Sequence, residues 1–109
     1  MIVRDLTEAL QLRTFALPDD TRPVLSGYVG DLLSWVMGRA VPGSAWVTIM
    51  SNPNIVAVAH LSDAACVILA EGVAPDEGVA ESAAQRGVNL LGGALPAFAL
   101  CARIQALMG

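Results

Sequence analysis

Apolar residues along the chain fall into short blocks whose spacing changes from helical to strand-like and back. Asp5 and Glu8 bracket a capping-box pattern, and the apolar positions after it predict a short helix ending near Leu12. Arg13 to Leu17 reads as a strand stopped by Pro18-Asp19-Asp20, and Val24 to Gly27 as a second one. Gly30-Asp31 marks the start of a helix, with Asp31 as cap or first-turn acid and Leu32, Leu33, Val36 and Met37 at helical spacing. Pro42-Gly43 ends it, and Trp46 to Ile49 is a strand of the buried type. Asn52-Pro53 is the clearest local signal, a cap residue followed by proline at the first helical position. The run Asn54 to Leu61 has strand-like composition, but that cap makes it a helix, and Cys66 to Ala70 is the better strand just beyond. Pro75-Asp76 opens a helix that stops at Gly87, a position suited to a left-handed cap. Val88 to Leu91 is the last strand, Gly92-Gly93 a turn, and Leu95 to Met108 a final helix with Phe98, Cys101, Ala102, Ile104 and Leu107 along its apolar side.

The predicted order is αββαβαβαβα. Strands alternating with helices, each strand nearly continuous in apolar residues, imply a largely parallel sheet covered on both faces. The fold class is therefore α/β, a small three-layer sandwich, and 109 residues make one domain spanning positions 1–109. No repeat, linker or low-complexity stretch interrupts it.

Composition changes this picture in one respect. The apolar share is 55% and the charged share 15%, against roughly 45–50% and about 25% in soluble domains. So much apolar material is hard to hide in a small monomer, which predicts a homodimer with an apolar interface. A membrane span is not expected, because Asn52, Pro53, Asn54, His60 and Asp63 break the most apolar region. Arg4, Asp5 and Glu8 stand where the apolar part of a secretory leader would begin, so none is expected.

Charge and reactive groups exclude several functions. Net charge is −4, and the six basic residues are all arginines set singly along the chain, so no basic stripe exists for nucleic acid. Without lysine there is no phosphate-loop lysine, Schiff base or lysine general base. There is one histidine, and a metal site would need His60 together with several carboxylates in a spacing the chain does not offer, so no metal site and no cofactor are expected. Cys66 and Cys101 lie in apolar elements and are expected to be buried, reduced thiols of a cytoplasmic protein.

The polar and glycine residues that stand out all follow predicted strands: Gly27, Tyr28, Gly30 and Asp31; Ser51, Asn52 and Asn54; Glu71 and Gly72; Gly92 and Gly93. In a parallel sheet the carboxyl ends of strands share one edge, so these residues are expected to converge there. Turns also simply require Gly, Asn and Ser. Gly27, Tyr28, Gly30, Asp31, Ser51, Asn52, Asn54 and Gly72 are the candidate ligand-binding residues, with two helix N-termini favouring an anion. Trp35 and Trp46 suit a core or an interface better than a stacked base.

Several blocks in order resemble the stand-alone DRTGG-domain proteins. They are Gly27-Tyr-Val-x-Asp-Leu-Leu-Ser34, Trp46 to Ile49, Asn54 to Ala59, Gly72 with Pro75-Asp76-Glu77, Gly87-Val88, and Leu95-x-Ala97-Phe98 with Arg103. The resemblance spans nearly the whole chain, although the Asp-Arg-Thr-Gly-Gly string itself is absent. It implies a small three-layer α/β domain related to the N-terminal domain of bacterial HPr kinase. Such domains also sit beside CBS domains in nucleotide-regulated pyrophosphatases, where they regulate and dimerise rather than catalyse. The expected function is a non-catalytic regulatory module, a dimer that binds a small anionic or nucleotide-like ligand at the strand-end edge. The alternative is a protein–protein interaction subunit with no ligand.

Overall fold

A computed structural model describes residues 1–109. Its elements are α1 (Val3–Ala9), β1 (Arg13–Ala16), β2 (Ser26–Val29), α2 (Leu33–Arg39), β3 (Ser44–Thr48), α3 (Asn54–Leu61), β4 (Cys66–Leu69), α4 (Val79–Gln85), β5 (Leu90–Gly92) and α5 (Ala97–Met108). Both the order and the number of elements are those the sequence predicts. The five strands form one sheet in the order β1-β5-β4-β3-β2. β2 to β5 are mutually parallel, whereas β1 pairs with β5 antiparallel and shifts register between Thr14 and Ala16. The sheet is therefore largely parallel, with one antiparallel edge strand.

The parallel strands are laid down in one direction, from β2 to β5. Right-handed crossovers taken in one direction put their helices on one face of the sheet. The packing agrees. Trp46, Val67 and Leu69, and Leu90, from β3, β4 and β5 respectively, meet Val36 of α2, Ile55 and Val56 of α3, and Val79 and Ala83 of α4. The opposite face of the same strands, Ala45, Val47, Cys66, Ile68 and Leu91, packs on Val3 and Leu6 of α1 and on Leu100 and Ile104 of α5. Both faces are covered, which is why β3, β4 and β5 are buried at every position.

Local boundaries differ from expectation where tertiary contacts prevail. α1 begins two residues before Asp5, whose carboxylate accepts the Ile2 N–H at 3.0 Å. Its first N–H groups, those of Val3 and Arg4, donate to the carbonyls of Arg22 and Asp20 at 2.9 and 2.8 Å. α2 begins at Leu33 rather than at Gly30-Asp31. α4 begins at Val79, not at Pro75-Asp76, after Gly78 in a left-handed conformation. The apolar side of α5 is turned from the expected one: Leu100 and Ile104 are buried, Ala102 and Leu107 are exposed, and Phe98 is 90% exposed. Ile49, expected in a buried strand, is exposed just past β3.

The cysteines are both free, Cys66 buried and Cys101 only half-buried on the inner side of α5. Burial pushes the Cys66 thiol up to about 12 and raises that of Cys101 as well. Neither is a thiolate at neutral pH.

Candidate functional site

The carboxyl ends of β2, β3, β4 and β5 share one edge, and residues from distant stretches meet there through specific bonds. Asp31 is not a helix cap. Its Oδ1 accepts the Thr48 hydroxyl at 2.7 Å and the Ile49 N–H at 3.0 Å, tying the turn after β2 to the end of β3. The same turn is held twice more. The Gly30 N–H donates to the Val47 carbonyl at 3.1 Å, and the Gly30 carbonyl accepts the buried Trp46 Nε1 at 2.9 Å. A Cβ at Gly30 would lie 3.3 Å from the Tyr28 ring, so the turn packs on its own tyrosine.

The next loop is tied to the one after it. Ser51 Oγ donates to Asp76 Oδ1 at 2.8 Å, and the Asp76 N–H donates to the Ser51 carbonyl at 2.9 Å. The Asn52-Pro53 start of α3 falls one residue later than expected: Pro53 takes the cap position, and Asn52 Oδ1 accepts the Asn54 N–H across it at 2.9 Å. Asn54 itself is exposed.

The eight sequence-predicted residues therefore occupy three places. Gly30, Asp31, Ser51, Asn52 and Asn54 lie in these mutually tied loops. Gly27 and Tyr28 line a separate cavity of about 140 Å³ between β2 and α5, together with Ala45, Cys101, Ile104 and Met108. Gly72 lines a third place, a cavity of about 270 Å³ at the carboxyl ends of β4 and β5, with Gln11, Arg13, Phe15, Gly93 and Ala94 among its other walls. Sequence reasoning missed Gln11, Arg13 and Phe15. They come from the start of the chain and reach this edge only because β1 runs antiparallel beside β5, setting Arg13 opposite Gly92. No local pattern carries that pairing.

The Arg13 guanidinium lies over the Phe15 ring, 4.9 Å from its centroid, and makes no ion pair; the two salt bridges of the molecule join Arg4 to Asp20 and Arg22 to Asp63. Gly92 lies beneath Phe15, where a Cβ would come within 2.7 Å of the ring. No three His, Cys, Asp or Glu side chains converge anywhere in the molecule. No helix is long and apolar enough to cross a membrane.

The architecture is that of a three-layer α/β domain with its sheet edge open at the strand carboxyl ends. No family model matches the chain, and no curated protein matches it. Among solved structures, the CBS and DRTGG domains of the regulatory region of Clostridium perfringens pyrophosphatase, in complex with the activator diadenosine tetraphosphate, are similar to it. The TM-score is 0.73 at 11% sequence identity, over 92% of this chain and 44% of that one. The chain thus has a DRTGG-like α/β fold and spans less than half of the neighbour's length.

Proposed function

We propose that this chain is a non-catalytic regulatory module that works as a homodimer and binds a small anionic or nucleotide-like ligand at the carboxyl edge of its sheet. The observation that carries the reading is the shared fold: its neighbour is the regulatory region of an enzyme, and it was crystallised with a nucleotide activator. The candidate edge supports it, since loops from three strands are held there by side-chain bonds rather than left loose. The HPr-kinase kinship implied by the sequence blocks belongs to the same reading, as does a reducing, cytoplasmic setting for two free thiols.

The dimer part of the reading rests on β2. It is an edge strand with one side unpaired, and it carries neither a charged residue nor a proline to guard that side. Leu25 is 70% exposed beside it and Val29 53% exposed on it. Leu32 and Trp35, on the segment leading from it, are exposed too, with Arg39 stacked 3.7 Å over Trp35. A second copy covers this edge in the proposed assembly. Sedimentation velocity at micromolar concentration is expected to give a dimer, and Val29→Lys an 11.3 kDa species. A wild-type monomer rules the dimer out.

The ligand part is tested by thermal shift with a nucleotide panel. A ligand at a hundredfold excess over its Kd stabilises the native state by about 2.7 kcal/mol. A flat response to every nucleotide removes this part and leaves the second reading, a ligand-free interaction subunit. The outward-facing Phe98 favours that second reading.

A further inference from the structure

Where the sheet changes the side on which its helices lie, it opens a crevice, and in this chain that happens at one place. The loops after β2, β3 and β4 all lead to helices on the face holding α2, α3 and α4. The loop after β5 leads to α5, on the other face. The chains leaving β4 and β5 therefore part to opposite sides although the strands are parallel neighbours. In open α/β sheets such a switch point, outside the strand carboxyl ends, is where ligands bind. The loops after β2 and β3 part in no such way.

The 270 Å³ cavity sits at that point. On one side stand Gly72 and Val73, just past β4; on the other, Gly92, Gly93 and Ala94. Two backbone bonds hold the parting loops together at their root: the Gly72 N–H donates to the Gly93 carbonyl and the Glu71 N–H to the Leu95 carbonyl, both at 2.9 Å. Glu71 and Gly72 take left-handed φ values of 62° and 70° in succession, so the β4 loop turns sharply away at the crevice mouth. β1 closes the third side with Gln11, Arg13 and Phe15.

We propose that this switch-point crevice is a binding site for a small organic anion, a carboxylate or a phosphate monoester. Arg13 is the one charged group in its lining, no carboxylate lines it, and no acidic partner neutralises Arg13. A guanidinium meets an anion of either kind with two parallel N–H bonds. Gln11 adds an amide, the Ala94 N–H has no acceptor within the chain, and Phe15, with Arg13 over its ring, makes one wall of the crevice apolar. At about 270 Å³ the crevice admits one small ring and its anionic group, and takes a larger phosphate monoester by its phosphate end. This inference rests on the regulatory reading above and names the site and ligand class within it.

The test is a titration of the ¹⁵N-labelled chain, followed by NMR, with AMP, benzoate and inorganic phosphate as probes. AMP or benzoate is expected to move the amides of Gly72, Gly93 and Ala94 saturably, and phosphate to do so more weakly. Arg13→Gln is expected to weaken that binding about tenfold or more, as loss of a charge-assisted pair does. Arg103→Gln, an exposed arginine of α5, leaves it unchanged. Shifts of equal size in the folded Arg13→Gln variant overturn the site. Shifts confined to residues 30–31 and 51–54 overturn it too, while leaving a ligand-binding regulatory module standing. Benzoate binding in the crevice with no nucleotide response keeps the site and removes the nucleotide. Silence from all three probes overturns the inference.

Discussion

Trp46→Ala is expected to remove about 3–5 kcal/mol of stability, the usual cost of truncating a large buried aromatic. Trp46 has no exposed surface, sits in β3 between Tyr28 and Val67 of the flanking strands, and faces the layer formed by α2, α3 and α4. A domain of this size has roughly 5–15 kcal/mol in all. The variant should therefore melt well over 10 °C lower, at roughly 4 °C or more per kcal/mol. Trp46→Phe separates two contributions. It keeps most of the volume but leaves the Gly30 carbonyl without its indole donor, which costs about 1–3 kcal/mol. Urea unfolding of the three proteins measures both steps. A loss under 1 kcal/mol in Trp46→Ala contradicts the packing described.

Asn89→Leu should be nearly as damaging for a different reason. Asn89 is 2% exposed, and its side chain is fully engaged. Oδ1 accepts the Asp19 N–H at 3.0 Å, and Nδ2 donates to the carbonyls of Asp19 and Ala65 at 2.7 and 2.9 Å. Leucine fills much the same space and satisfies none of these groups. The expected loss is about 2–4 kcal/mol, with the Ala65 carbonyl orphaned inside and the Asp19 groups partly rescued by water. Hydrogen exchange gives the local signature, faster exchange at Asp19. A wild-type melting temperature with unchanged exchange there contradicts the account.

Asn89 also illustrates what the sequence conceals. It reads as one polar residue in the last strand, and nothing nearby foretells a partner 70 positions away. Elements themselves were legible because their signals are local: the Asn52-Pro53 start of α3, the apolar blocks of β3 and β4, and the breakers Pro18 and Pro42-Gly43. Errors arose where a side chain had two uses. Asp31 has the chemistry of a cap, but Thr48 and Ile49 offered it better donors, so α2 starts beyond it. On α5 nearly every residue is apolar, so periodicity alone puts Phe98 on the buried side where the structure has Leu100. The edge on which the candidate residues lie follows from counting parallel strands. The crevice on that edge does not, because Arg13 enters it through a pairing with the far end of the chain.

That pairing has a consequence for how the molecule comes into being. β1 is made before the other four strands, yet the strand it joins is the last of the five. Until residues 90–92 emerge, β1 has no ladder partner, while β2, β3 and β4 can already assemble in turn from neighbouring segments. Closing the sheet spans more than seventy residues, the longest-range strand pairing in the fold and so the one most delayed by loop entropy. Arg13 and Phe15 reach the crevice only at that step. A nascent or C-terminally clipped chain thus has the β2 edge and its apolar surroundings without the completed crevice, so the proposed self-association would come before the proposed ligand site exists.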